Sequence, residues 1–288
     1  MGIKIGLEYT TPLRFAGTRF FLSGLYIMPF AGSLAFYFKE VRGNLRVILP
    51  ISFFQTFLLY TLFYTGINMV PGAMAAIIIG SQPLFIALMA HVLMKNDKLS
   101  WNKVLSLFLG ITGIIIITYD RFAVEMKMTA EIWGILLLVL SNLASAMGNI
   151  LVSKQKGGMN TLVMNSSQLL IGGFFLFILS LFTEGMSFGI KPAGYYISLG
   201  WLSFMSAAAF SIWFTLLKRP KVKVSVINIW KFIIPVFGTI LSWMLLPDEF
   251  PDFIAILGMI IIGISIILMY IRNIWNMNNK KYTGKLSN

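Results

Sequence analysis

Nine long apolar stretches separated by short polar gaps constrain this chain more than any other feature. They run over 15–37, 47–68, 71–94, 102–119, 132–153, 160–183, 192–217, 224–246 and 252–271. The 71–94 stretch, PGAMAAIIIGSQPLFIALMAHVLM, contains no Asp, Glu, Lys or Arg. An α-helix needs about 20 predominantly apolar residues to cross the hydrocarbon core of a bilayer. Runs that are continuous rather than alternating argue against a β-barrel, and their number exceeds what the core of a soluble domain needs. Only 11% of the residues are charged, and the mean hydropathy is +0.83. The sequence therefore predicts an all-α polytopic helical membrane protein with nine transmembrane helices.

A net charge of +13 invites a nucleic-acid reading, but its distribution argues otherwise. Basic residues gather in alternate gaps: Lys39, Arg42 and Arg46; Lys95, Lys98 and Lys103; Lys154 and Lys156; Lys218, Arg219, Lys221 and Lys223. The tail adds Arg272, Lys280, Lys281 and Lys285. The other gaps are poorer in base, with Asp120, Glu125 and Glu131 in one and Asp248, Glu249 and Asp252 in another. This is the positive-inside pattern. It places the basic gaps and the tail in the cytoplasm and, with nine crossings, residue 1 outside. The charge thus reports topology and contact with anionic lipid, not a nucleic-acid site.

The chain has no cysteine, so disulfide and thiol chemistry are excluded. The first residues, MGIKIGLEYTTPLRF, do not read as a signal peptide. The gaps leave no room for a soluble domain. Internal similarity is visible instead. GSQPLFIALMAHVLMKNDKLSW (80–101) has a counterpart in IIPVFGTILSWMLLPDEFPDF (233–253). In each, a proline sits early in an apolar helix, a polar pair follows (Asn96-Asp97, Asp248-Glu249), and a glycine-bearing helix comes next. Pro83 and Pro235 lie 152 residues apart. Applied to the 132–153 stretch, that offset places its partner upstream of residue 1. The expected organisation is a first repeat over 1–120 with four helices, lacking its opening helix, a second over 121–271 with five, and a basic tail at 272–288. An odd offset gives the copies opposite orientation, a common plan in secondary transporters.

These segments resemble the EamA-type group of the drug/metabolite transporter superfamily. The resemblance rests on TPLRFAGTRFFLSGLY (11–26), on 63–100, on FLGITGIIIITY (108–119), on KFIIPVFGTILSWMLLPDEF (231–250) and on ILGMIIIGISIILM (256–269). It implies a ten-helix plan of two five-helix repeats and a role in moving small metabolites. The chain departs from that pattern at Asn96-Asp97, where a glutamate is usual, and at the first helix. On this reading the 288-residue form is less stable and transports poorly compared with an upstream-extended one.

Several residue groups stand out inside the apolar stretches. Ser141, Ser145 and Asn149 recur at a spacing of four and share a helix face. Asn165, Ser166, Ser167 and Gln168 open the next stretch. Gln55, Tyr60, Tyr64 and Gln82 are further polar positions. Singly, such residues glue helices together; as a set they suit a polar path. Pro83 and Pro235 interrupt backbone bonding inside apolar helices. Lys231 would suit an anionic or zwitterionic solute, and Arg19 either serves likewise or snorkels to the headgroups. Trp213 is an aromatic away from both interfaces. The expected cavity lining is Gln55, Tyr64, Gln82, Pro83, Ser145, Asn149, Trp213, Lys231 and Pro235. Small residues at Gly72, Ala76 and Gly80, with Gly110, Gly113, Gly258 and Gly263, are expected at helix contacts.

No P-loop appears, and His91 lacks companions for a metal or catalytic site. The sequence thus implies no enzyme, no metal, no cofactor and no nucleic acid. Its expected partners are a small-molecule substrate and membrane lipids, and a homodimer is compatible with it. The leading reading is a secondary transporter or exporter of small metabolites or amino-acid-like solutes across the cytoplasmic membrane, by alternating access between inverted repeats. A transport-inactive truncated protein or scaffold is one alternative. A membrane-embedded lipid-modifying enzyme is another, for which no convergent acid or histidine cluster is present.

Overall fold

The computed structural model describes residues 6–70, 72–117, 128–156, 158–185, 189–245 and 253–283, and within them only helices and their connections occur. The helices are α1 (Pro12–Ile27), α2 (Leu34–Gly43), α3 (Leu45–Ile67), α4 (Gly72–Gly80), α5 (Gln82–Leu93) and α6 (Trp101–Ile117). The later ones are α7 (Met128–Lys154), α8 (Thr161–Thr183), α9 (Ala193–Leu217), α10 (Val224–Asn228), α11 (Ile233–Leu245) and α12 (Phe253–Thr283). Apolar side chains such as Val92, Phe108, Ile197 and Phe182 are largely exposed, as expected where the surrounding solvent is lipid.

The expectation of nine transmembrane helices in two inverted repeats is corrected. Among the described residues, five helices are long and apolar enough to cross a membrane: Leu45–Ile67, Met74–Leu93, Glu131–Lys154, Thr161–Thr183 and Ala193–Leu217. The count reaches six if the pair Pro12–Ala31 and Leu34–Gly43 is taken as one span. That pair is bent by 114°. Its cause lies in the sequence, because Pro29 starts a 3₁₀ turn and Gly32 follows at φ 115°, which only glycine adopts at ease. Three further stretches expected to cross are apolar but short: Trp101–Ile117, Val224–Phe237 and Phe253–Leu268. Hydropathy registers composition but not a break such as the one at Pro29 and Gly32.

The chain forms two compact units, one made of Met1–Met69 with Leu136–Val222, the other of Val70–Ile135 with Lys223–Asn288. In the first unit, α1 and α8 pack backbone to backbone. A Cβ on Gly17 would lie 2.5 Å from Phe177 N, and one on Gly173 would lie 2.5 Å from Phe21 N. Gly24 meets Ser166 O in the same way, so the two helices run antiparallel. Their ends are tied reciprocally. Glu184, just beyond α8, accepts from Leu13 N at 2.9 Å and Arg14 N at 3.1 Å, at the start of α1. Glu40 accepts from Asn160 N at 3.1 Å, at the start of α8. A carboxylate at a helix N-terminus satisfies free N–H groups and complements the helix dipole. The bent α1–α2 segment therefore runs the whole length of α8. At the Glu40 end, Lys156 Nζ donates to Val222 O at 2.8 Å and Lys218 Nζ donates to Met159 O. Three of the basic gaps thus meet at one end of this unit. Burial there lowers the pKa of the Lys218 ammonium, opposed by the charge of Glu40.

In the second unit, α6 and α12 form a similar antiparallel contact. Ser106 Oγ donates to Ser265 O at 2.7 Å and Ser265 Oγ to Ser106 O at 2.6 Å. A Cβ on Gly258 would fall 2.8 Å from Gly113 O and 2.7 Å from the Ile117 side chain. Gly263, one helix turn on, has nothing within 4 Å. Gly258→Ala is therefore expected to cost about 1–3 kcal/mol through overpacking. Gly263→Ala is expected to leave stability unchanged or raise it by up to ~1 kcal/mol through helix propensity. Thermal unfolding of the two purified variants in detergent checks this contrast.

Candidate functional site

The polar residues of the first unit assemble into two connected groups inside the helices. On α7, Asn149 Nδ2 donates to Ser145 O at 2.7 Å and reaches Ser145 Oγ at 3.3 Å. Its Oδ1 accepts from Trp213 Nε1 on α9 at 2.8 Å. The second group crosses three helices. Thr56 Oγ1 on α3 donates to Gln168 Oε1 on α8 at 2.5 Å, Gln168 Nε2 donates to Asn165 Oδ1 at 3.2 Å, and Asn165 Nδ2 donates to Ser211 Oγ on α9 at 3.0 Å. Ser145, Asn149, Asn165 and Gln168 are almost completely buried. Each amide is paired, as an amide in an apolar interior must be.

Gln55 differs. It is only 4% exposed, yet its Oε1 has no hydrogen-bond partner. It lies in a π-helical turn, Phe53–Leu58, that interrupts α3. Pro50 sits upstream inside the helix, and Phe53 N is shared between Leu49 O and Pro50 O, so the regular ladder is already perturbed before the wide turn begins. Such turns inside α-helices occur frequently at functional sites. Across from it, a Cβ on Gly148 would lie 2.2 Å from Gln55 Oε1, so glycine is what lets the amide approach α7 beside Asn149. Tyr64 sits further along α3 in an aromatic group, its ring centroid 5.1 Å from Phe63 and 6.2 Å from Tyr60.

In the second unit, Lys231 Nζ donates to Gln82 Oε1 at 2.5 Å. Two of the expected cavity residues are thus in direct contact. Pro83 and Pro235 both lie in the first turn of a helix, in α5 and α11, where a missing N–H costs nothing. Neighbouring elements supply the breaks: a turn at Ser81 and a 3₁₀ turn over Ile229–Phe232. Of the expected packing residues, Gly113 and Gly258 touch, Gly110 lies under the Phe232 ring, and Gly80 lies against Ile114. Ala76 is exposed, Gly72 opens α4, and Gly263 faces open space. The Asp248-Glu249 pair lies outside the described residues. His91 Nδ1 accepts from Leu99 N at 3.0 Å, and among the described residues no three His, Cys, Asp or Glu groups come together.

Sequence reasoning passed over Glu184 and Glu40, which tie helix ends to partners remote in sequence. Asp97 entered it through the Asn96-Asp97 pair, without its partner Ser225. Asp97 is 1% exposed, pairs with Lys103 Nζ at 2.5 Å, and accepts from Ser225 N at 2.8 Å in the first turn of α10.

The pattern of the EamA-like transporter family matches residues 1–119 and 132–271. The chain belongs to that family. The uncharacterized transporter YvbV of Bacillus subtilis is 28% identical over 272 residues, covering 92% of this chain and 85% of that protein. The uncharacterized inner membrane transporter YedA of Escherichia coli is 23% identical over 214 residues, 70% of this chain and 63% of that one. A crystal structure shares the fold with a TM-score of 0.75 at 16% identity, covering 90% of this chain and 87% of that chain. The protein is accordingly a multi-pass membrane transporter of the drug/metabolite transporter superfamily, not an enzyme.

Removing the Asp97 carboxylate strands a buried ammonium and uncaps α10. Asp97→Ala is expected to destabilise the protein by about 3–5 kcal/mol. The paired variant Asp97→Asn with Lys103→Met recovers a substantial part of that loss. Melting of the single and double variants in detergent measures both effects.

Proposed function

We propose that this transporter exports or exchanges small polar, amino-acid-like metabolites by alternating access, and that the polar interior of the first unit contacts the solute. The observation that carries this reading is Gln55, a buried amide whose oxygen has no partner and which lies in a wide helical turn against Gly148. Most buried amides are paired, as Asn149 and Gln168 are, and Asn228, whose Oδ1 also lacks a partner, still donates through its Nδ2 to Val224 O. A solute N–H or ordered water supplies the missing donor. Tyr64, Ser145, Asn149 and Trp213 complete the proposed contacts in this unit. In the second unit the Gln82–Lys231 pair offers a polar contact between Pro83 and Pro235, the prolines setting the helix starts that present it. The family match in two stretches supports reading 1–120 and 121–271 as two copies of one repeat. The meeting of basic gaps at one end of the first unit supports placing that end in the cytoplasm.

Reconstitution into vesicles with a panel of labelled amino acids and related metabolites tests the reading, and saturable flux of at least one solute is expected. Gln55→Leu separates function from folding. It removes an unsatisfied buried oxygen, so its melting temperature should equal or exceed that of the native protein. Its flux should fall by about tenfold or more, the loss of one buried hydrogen bond to solute. Unchanged flux in this variant rules out Gln55 as a solute contact.

A further inference from the structure

Arg19 lies in α1, seven residues beyond its first residue, Pro12, and so about 10 Å into the helix. It is 7% exposed, so its charge does not emerge at the headgroups as a snorkelling side chain would. Among the described residues its guanidinium makes no hydrogen bond or ion pair, and its Nε is buried without a partner. The nearest acid on an element packed against α1 is Glu184, whose two oxygens are already engaged by Leu13 N and Arg14 N at the helix start. What the guanidinium does have is the Phe20 ring, 4.4 Å from its central carbon, and electrostatic contact with the Tyr60 phenol. A cation–π contact falls well short of what a buried unpaired charge costs.

The surroundings are short of acceptors and rich in donors. Ser203 is fully buried and its Oγ has no partner. It is held beside α1 because Ser23 Oγ, one helical turn from Arg19, donates to both Arg19 O and Ser203 O. The Tyr60 hydroxyl makes no hydrogen bond among the described residues. A fixed positive charge with two spare hydroxyls on the elements beside it is a site complementary to an anion, which accepts from all of them. The flanking rings of Phe20, Tyr60 and Phe210 suit an apolar body attached to that anion.

We propose that Arg19, with Tyr60 and Ser203, forms an anion subsite in the first unit, so that this protein carries solutes bearing a carboxylate or phosphate group. The proposal rests on the transport reading above and names the solute class for it.

The test uses the full chain purified in detergent, with butanoate, inorganic phosphate and the neutral isostere butanamide as probes. At saturation one of the two anions raises the melting midpoint by about 5 °C, and butanamide does not. The anion that acts tells carboxylate from phosphate. Arg19→Gln abolishes the shift, Arg19→Lys retains part of it, and Ser203→Ala weakens anion binding by about tenfold. The comparison of butanoate with butanamide on the native protein stands even if Arg19→Gln fails to fold. Three results each overturn the proposal: no anion shifts the native protein, butanamide shifts it equally, or Arg19→Gln responds as the native protein does. Native vesicles that carry neutral solutes but show none of these anion effects sink the anion subsite and leave transport standing. Native vesicles that carry no solute sink the transport reading itself.

Discussion

In hydrocarbon, every polar group has to find its partner within the protein, and the way this chain meets that demand determines the rest of its structure. Helix ends are closed by carboxylates from distant elements: Glu184 on α1, Glu40 at the start of α8, and Asp97 on α10. Helix flanks are joined by hydroxyls that reach the carbonyls of a neighbour, as Ser106 and Ser265 do for each other and as Ser166 Oγ does for Gly24 O at 2.7 Å. These bonds require backbones to lie very close, which only glycine permits at Gly17, Gly173, Gly113 and Gly258. Glycine contact, hydroxyl bond and end cap are therefore one device repeated in each unit.

Against that background of satisfied groups, the few left unsatisfied acquire meaning. Gln55 Oε1, Arg19 Nε, Ser203 Oγ and Thr61 Oγ1, all in the first unit, are among the buried atoms without partners; Ser153 Oγ in the first unit and Asn228 Oδ1 in the second are others. Elsewhere in the same unit, amides as deep as Gln168 and Asn165 are fully paired, so the fold is capable of satisfying such groups. A transporter gains from leaving some interior valences open, because a solute crossing the membrane must exchange its water for them. The π-helical turn after Pro50 belongs to the same logic. It widens α3 where Gln55 faces Gly148, at a cost in regularity that packing alone would not favour.

The character of the chain as a helical membrane protein was legible because long apolar runs of near-bilayer length leave few other solutions. Its breaks were not. Pro29 and Gly32 lie inside a stretch whose hydropathy is uninterrupted, and the 114° bend follows from backbone geometry that an average over residues hides. Spacing placed Ser145 and Asn149 on one face, and they are directly bonded; that Trp213 would meet Asn149 depends on helices far apart in sequence. Pro83 and Pro235 read as interruptions of apolar helices; each lies in a first turn, Pro83 where α4 joins α5 within the Met74–Leu93 span and Pro235 just after a 3₁₀ turn. Arg19 near a helix end could reach headgroups on length alone, and only the packing of α1 against its neighbours shows that it does not.

The central claim is that the polar interior of the first unit is a path that water and solute enter. The absence of native cysteine makes one measurement direct: single cysteines at Ser145 and Gln55, in membranes, exposed to a water-soluble thiol reagent. Ile51 and Leu169, apolar and fully buried in the same unit, serve as references. The account predicts that cysteines at Ser145 and Gln55 react well above those references and are protected by a transported solute. Reaction no faster than at Ile51 and Leu169 would contradict it, leaving these amides and hydroxyls as packing alone.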